Sequence, residues 1–254
     1  MSNSISLITI NLNNADGLKD TLKSIHLQEE KPFEHIIIDG GSTDQSSKVI
    51  NDYKDKISNH VISKDEGIYY AMNKGASISK GEWIGFLNSG DIFYQAVISE
   101  LSSALGQNYF DFTIGDVVIA DKNKNKIFTK TPIFNHDGTL DVMEMPVAHM
   151  SIFVRKSIFN EIGGFNENLK ISSDFDFVNK LLLRSQKYYR IKSTVGEFYL
   201  GGVSGSISRF REDLFVLRKY NPSKNFYILM LKKYLSYFLG LILPMRIKTF
   251  IKKY

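Results

Sequence analysis

Cysteine is absent from all 254 residues. Disulfides and thiolate-ligated metals are therefore excluded, and a reducing compartment is the simplest setting for the chain. The Gly-x-Gly-x-x-Gly fingerprint of dinucleotide-binding folds is also missing: the loop after the first strand-like run reads Asn11-Leu12-Asn13-Asn14. No Gly-Lys-Ser/Thr occurs, so neither a redox dinucleotide nor a P-loop nucleotide site is expected. The N-terminus, Met1-Ser2-Asn3-Ser4, lacks the basic start and long apolar stretch of a secretory signal, and no export is expected. Near the C-terminus the longest uncharged stretch, Tyr234 to Met245, falls short of the roughly 20 residues that cross a bilayer. Solenoid-type repeats and long linkers are not found.

Hydrophobic residues make up 43% of the chain and charged residues 23%, which allows a packed core in one large α/β domain with or without a short appendage. The net charge of +5 is unevenly spread: from Lys219 onward there are eight Lys and Arg and no Asp or Glu. Tyr227, Tyr234, Tyr237 and Phe238 are interspersed among them. This composition points to a helix lying in an anionic membrane interface rather than to a nucleic-acid groove.

Short apolar runs and helical periodicities alternate through the first ninety residues. Ile5 to Ile10, His35 to Ile38, His60 to Ile62 and Trp83 to Leu87 read as strands. Leu18, Leu22 and Ile25, then Val49, Ile50 and Tyr53, then Tyr69, Met72 and Ala76 read as the buried faces of helices. Such alternation predicts a mostly parallel, Rossmann-like sheet flanked by helices on both faces. Beyond Asp91 the rhythm weakens. Phe110 to Ala120, Ile127 to Phe134 and Pro146 to Val154 read as strands, Ser157 to Ile162 as a short helix ending at Gly163-Gly164, and Asp174 to Arg184 as a helix capped by Ser172 or Ser173.

Asp39, Asp65 and Asp91 recur evenly, each after an apolar run. In a parallel sheet these positions fall at the carboxyl ends of strands, where α/β folds bind ligands. In Asp39-Gly40-Gly41-Ser42-Thr43-Asp44 the glycines allow close backbone approach, and Asp39 can accept from a base N–H or a ribose hydroxyl. Asp44 reads as a helix cap. Asp65-Glu66 by itself is an ordinary complement to a helix N-terminus. Asn88-Ser89-Gly90-Asp91 offers one carboxylate, so a Mg²⁺ or Mn²⁺ ion there would lean on the diphosphate it bridges.

Taken together, Ile36 to Asp44, Asp65-Glu66-Gly67-Ile68-Tyr69 with Ala71-Met72-Asn73-Lys74-Gly75, Gly81-Glu82-Trp83-Ile84 and Asn88-Ser89-Gly90-Asp91 resemble family 2 glycosyltransferases, in particular the bacterial surface-polysaccharide enzymes. The resemblance covers residues 4 to 206. It implies an A-type glycosyltransferase fold, a nucleotide-sugar donor (commonly a UDP-sugar), a divalent metal and inversion at the anomeric carbon. Carried over by position, Thr9, Asn11, Asp39 and Asp65 would hold the nucleoside, Asn88 would face the ribose and Asp91 would bind the metal. Asn88 stands where many members have an Asp. Asp174 matches the base position, although Ser173 replaces the usual preceding Glu. An inverting transfer needs that base opposite the leaving diphosphate, and residues two apart in a helix face differently, so Asp174 rather than Asp176 is expected in the cleft. His149 and the loop carrying Gly202 and Ser204, with Arg209 behind it, would meet diphosphate or acceptor. The family's processive members carry Gln-x-x-Arg-Trp; the one Trp here is Trp83, so transfer of a single sugar is expected.

These expectations divide the chain into a glycosyltransferase domain at 1–215, with a nucleotide-binding half at 1–92 and an acceptor half at 93–215, and a basic amphipathic helical tail at 216–254. The expected acceptor is a lipid-linked saccharide and the expected location the cytoplasmic face of the inner membrane, with no nucleic-acid partner. The departures at Asn88 and Ser173 motivate an alternative, a catalytically inactive membrane-associated subunit that binds nucleotide-sugar. A sugar-phosphate nucleotidyltransferase would need a Gly-rich N-terminal loop with Arg and Lys, which is missing.

Overall fold

The computed structural model describes residues 4–62, 64, 67–105, 110–121, 123–143, 145–199, 207–220 and 235. Its first half is built as the periodicities predict. Strands β1 (Ile5–Asn11), β2 (Glu34–Asp39), β3 (Asn59–Ile62) and β4 (Trp83–Phe86) alternate with helices α1 (Ala15–His26), α2 (Ser46–Asp52) and α3 (Ile68–Ile78). β1 pairs in parallel with β2 on one side and β4 on the other, and β2 pairs in parallel with β3. Both faces of β1 are buried, as a central parallel strand requires. Ile5 and Leu7 pack with Trp83, Leu101 and Phe153, while Ile8 and Ile10 pack with Met72, Phe112 and Phe177.

The second half departs from its expected outline. β5 (Ile92–Phe93) and α4 (Val97–Leu105) follow β4. The run 110–120 is two strands, β6 (Phe112–Ile114) and β7 (Val117–Ala120), which belong to different sheets. β8 (Lys126–Lys130) ends early, and Phe134 makes only an isolated bridge to Leu140. The run 146–154 is not one strand. A single 3-10 turn at His149–Ser151, closed by Ser151 N–H on Ala148 and Ile152 N–H on His149, precedes the short β9 (Phe153–Arg155).

Helices α5 (Lys156–Glu161) and α6 (Ser173–Arg184) are followed by β10 (Tyr188–Arg190), β11 (Gly196–Tyr199) and α7 (Ile207–Tyr220). The main sheet has seven strands in the order β10-β6-β9-β4-β1-β2-β3, with β9 antiparallel to both neighbours. A second sheet, β5-β11-β7-β8, carries the parallel pair β11–β7 between antiparallel edges. Helix α7 buries Val216 and Leu217 against Leu169 and Phe175. No helix among the described residues is long and apolar enough to cross a membrane. The rest of the expected tail, other than Leu235, lies outside the described residues.

Candidate active site

β1 and β2 end in register, Asn11 beside Asp39. The Asn11 amide donates to Asp39 Oδ2 at 2.7 Å. Asp39 is buried beneath the turn that follows it: Oδ1 accepts the backbone N–H groups of Gly41 (3.0 Å) and Ser42 (2.7 Å), and Oδ2 accepts the Ser42 hydroxyl (2.8 Å). Gly41 sits at φ +87°, a left-handed value that favours glycine. A carboxylate offers about four acceptor positions, and these four donors occupy them. Because Asn11 Nδ2 faces the carboxylate, Asn11 Oδ1 is left as a buried acceptor with no hydrogen-bond partner among the described residues. Asp44 ties the same turn to α1 and α2, accepting from Ala15 N–H and Ser46 N–H at 2.9 Å each. Thr9 is placed elsewhere: it is fully buried, with its hydroxyl 2.9 Å from His35 Nε2, apart from the Asn11–Asp39–Ser42 group.

The 88–91 turn is closed by Asp91 N–H on the Asn88 carbonyl, with Gly90 at φ +106°. Helix α1 holds it in place. Asn14 Nδ2 donates to the Ser89 carbonyl at 2.9 Å, and the Thr21 hydroxyl accepts Gly90 N–H at 2.9 Å while donating to the Asp91 carbonyl at 2.7 Å. The Asp91 carboxylate is turned inward, 5% exposed, and accepts Tyr199 N–H at 3.2 Å. Burial pushes its pKa up to about 8, with the Tyr199 N–H opposing the shift. Asn88 Nδ2 lies 3.3 Å from His149 Nε2, and Asn88 Oδ1 is buried without a hydrogen-bond partner among the described residues.

His149 opens the 3-10 turn, its ring edge-on to Phe198 at 5.8 Å. Burial lowers its pKa despite the nearby charge of Asp174, so the imidazole is neutral at pH 7. His149 and Asp174 line one small cavity, walled by Phe86, Ile152, Val154, Phe165 and Phe177. Asp174 stands in the first turn of α6, where Oδ1 accepts Phe175 N–H at 2.8 Å and lies 3.4 Å from the Tyr69 hydroxyl. Asp176 is buried away from that cavity. It receives Lys219 at 2.8 Å, Lys180 at 3.3 Å and the Tyr220 hydroxyl at 3.0 Å. The two acids of one helix turn thus do different work.

A family model described as glycosyl transferase family 2 matches residues 6–185. The chain belongs to this family. It is 29% identical over 211 residues to the PGL/p-HBAD biosynthesis glycosyltransferase of Mycobacterium bovis, covering 80% of this chain and 79% of that protein. An uncharacterized glycosyltransferase of Mycobacterium tuberculosis is 28% identical over 206 residues, covering 78% and 76%. Among solved structures, Staphylococcus aureus TarS 1–349 in complex with UDP-GlcNAc superposes with a TM-score of 0.68 at 16% identity, covering 93% of this chain and 73% of that one. The mannosyltransferase PcManGT of Pyrobaculum calidifontis, solved with GDP-Man and Mn²⁺, superposes at 0.63 and 15%, covering 91% and 69%. The architecture is the A-type glycosyltransferase fold.

Within this family 2 chain, the rim residues fit a divalent cation in a limited way. Among the described residues no group of three His, Cys, Asp or Glu side chains is placed to hold an ion. Asp91 nevertheless presents a buried carboxylate whose desolvation cost a cation would relieve. Oxygen donors of this kind suit Mg²⁺ or Mn²⁺, with the other ligands drawn from diphosphate and water. Of the remaining expected site residues, Arg209 lies on α7 with Nε 3.9 Å from Asp213 Oδ2. Asp65, Gly202 and Ser204 lie outside the described residues. Asn14, Thr21, Tyr199 and Glu212 carry no sequence signal for this site, and the periodicity marks Tyr69 only as part of the buried face of α3.

Proposed function

We propose that the chain is an inverting glycosyltransferase that moves one hexosyl unit from a nucleotide-sugar, a UDP-sugar in the first instance, to a lipid-linked saccharide during polysaccharide assembly. One observation carries this reading. His149 touches Asn88, in the turn that carries Asp91, and lines one cavity with Asp174, so this histidine links the donor-side turn to the acceptor-side acid. Asp174 would take the proton of the acceptor hydroxyl as its oxygen bonds to the anomeric carbon and the bond to the diphosphate breaks. A single displacement of this kind inverts the centre. Asp91 would hold Mg²⁺ or Mn²⁺, which when bound neutralises the diphosphate charge as a Lewis acid. Asn11 Oδ1, a buried acceptor, would receive a base N–H, with Asp39 and Asp65 shaping the nucleoside pocket and Asn88 facing the ribose. Thr9, fully buried on His35, would not meet the nucleoside. Neutral His149 would donate to diphosphate or acceptor, and Gly202, Ser204 and Arg209 would border the same oxygens.

Residues 1–92 would form the nucleotide half and 93–215 the acceptor half. Of the expected tail at 216–254, residues 216–220 are the packed end of α7; the basic stretch beyond Tyr220 would lie on the inner leaflet, placing the cleft beside a lipid-borne acceptor from the cytoplasmic side. The deciding experiment supplies purified chain with a panel of nucleotide-sugars, Mn²⁺ or chelator, and lipid-linked saccharide, and follows nucleotide release. Asp174→Asn is expected to lower kcat by about 100-fold or more while calorimetry shows UDP affinity retained. Full activity in Asp174→Asn would refute the base assignment. Tight UDP binding with no turnover on any acceptor would favour the inactive membrane-associated subunit.

A further inference from the structure

We propose that Tyr69 and Glu212 are positioning residues for Asp174, gripping from opposite sides the turn that leads into α6. The proposal rests on the transferase function above.

Helix α3 supplies one side. Tyr69 and Asn73 are four residues apart and so share a helix face. Asn73 exchanges two hydrogen bonds with Phe165, Nδ2 to the carbonyl and Oδ1 from the N–H, each 2.9 Å. The Tyr69 ring is buried against Phe165 at 5.5 Å. Its hydroxyl donates to the Ile171 carbonyl at 2.6 Å and lies 3.4 Å from Asp174 Oδ1. The phenol has one proton, and the shorter bond takes it. Tyr69 therefore acts on Asp174 through the Ile171 carbonyl, which it holds three residues ahead of the acid.

Helix α7 supplies the other side. Glu212 Oε1 accepts Lys170 N–H at 3.0 Å, and Oε2 accepts Ile171 N–H at 2.8 Å and Ser172 N–H at 2.9 Å. Asp213 accepts the Ser172 hydroxyl at 2.7 Å. Ile171 is thus held at its N–H by Glu212 and at its C=O by Tyr69. Ser172, the N-cap residue of α6, makes no side-chain cap bond to its own helix. A helix start is ordinarily fixed by that bond. Here the first turn, with Asp174 in it, takes its pose from α3 and α7.

The test uses the full chain, UDP as the binding probe, and nucleotide release from the best UDP-sugar of the panel. Tyr69→Phe is expected to lower kcat roughly ten- to hundredfold, the scale of a displaced catalytic group, leaving the donor KM and UDP affinity unchanged. In an Asp174→Asn background, Tyr69→Phe is expected to cost nothing more. Glu212→Ala should match Tyr69→Phe and speed amide exchange at Lys170, Ile171 and Ser172. Glu212→Gln, which keeps an acceptor for two of those amides, should restore most of kcat. Wild-type kcat in Tyr69→Phe, with Asp174→Asn inactive, overturns the proposal and leaves the transferase function standing. A wild-type chain that transfers from no donor overturns both.

Discussion

Asp39 shows how much one carboxylate can organise. Its four donors come from Asn11, the Gly41 and Ser42 backbone, and the Ser42 hydroxyl. Asp39→Asn would put an amide N–H₂ against a group that already donates. Hydrogen bonds to a charged group contribute about 1.5–3 kcal/mol each, and the misplaced Asn11 would lose its fixed Oδ1. UDP affinity should fall on the order of ten- to hundredfold by calorimetry, with a lower Tm. An unchanged Kd would show that the nucleoside does not depend on this turn. The residue types at the strand ends were legible because a parallel sheet sends its loops to one rim, so Asp39 and Asp91 could be named from position alone, and Asn11 from the family resemblance. Side-chain depth was not legible. Thr9 and Asn11 share a strand face, yet one pairs with His35 in the core and the other with Asp39 at the rim. Periodicity reports which face a residue takes, and says nothing of how far along the strand the surface begins.

Among the elements, the α6–α7 pair shows why the second half resisted reading. That Asp174 and Asp176 must face different sides follows from helix geometry alone. What Asp176 meets does not, since Lys219 and Tyr220 lie more than forty residues later. The runs at 110–120 and 146–154 failed for a related reason. Their apolar residues are set by two sheets and a 3-10 turn rather than by one strand's alternation. Asp176→Ala would strip the charged seat of α7. Removing one partner of a buried pair costs about 3–5 kcal/mol when the other charge is trapped. Lys219 is 41% exposed and can turn to water, so about 1–3 kcal/mol is expected. In a chain of this size that lowers Tm by several degrees. Because α7 carries Glu212, kcat should fall as well; an unaltered Tm and kcat would mean that Val216, Leu217 and the Glu212 and Asp213 bonds hold α7 without Asp176.

At the scale of the whole molecule, folding lowers the pKa of four histidines. His35 is buried against Thr9, His26 packs beside it with Tyr53 stacked on His26, and burial followed by the neighbouring His26 lowers the His35 pKa to about 3. Burial first, then the charges of Lys56 and Lys31, lowers His26 to about 4. Burial also lowers His60 and His149. In the unfolded chain each returns to about 6.5. Between pH 6.5 and about 4 the unfolded chain therefore binds histidine protons that the folded chain refuses, so the histidines' contribution to stability is full above pH 6.5 and is lost as pH falls. At pH 5, one and a half units below the unfolded value, His35 alone accounts for about 2 kcal/mol. Urea unfolding at pH 7 and pH 5 reads this loss net of Asp91, whose carboxyl, raised to about 8, keeps its proton in the folded chain and gains stability over the same range. In His35→Gln the difference between the two pH values should shrink by about 2 kcal/mol. If His35→Gln shows the same difference between the two pH values as the wild-type chain, His35 is reached by solvent and protons in the folded state, and the packing of α1 against β2 is looser than the Thr9–His35 bond implies.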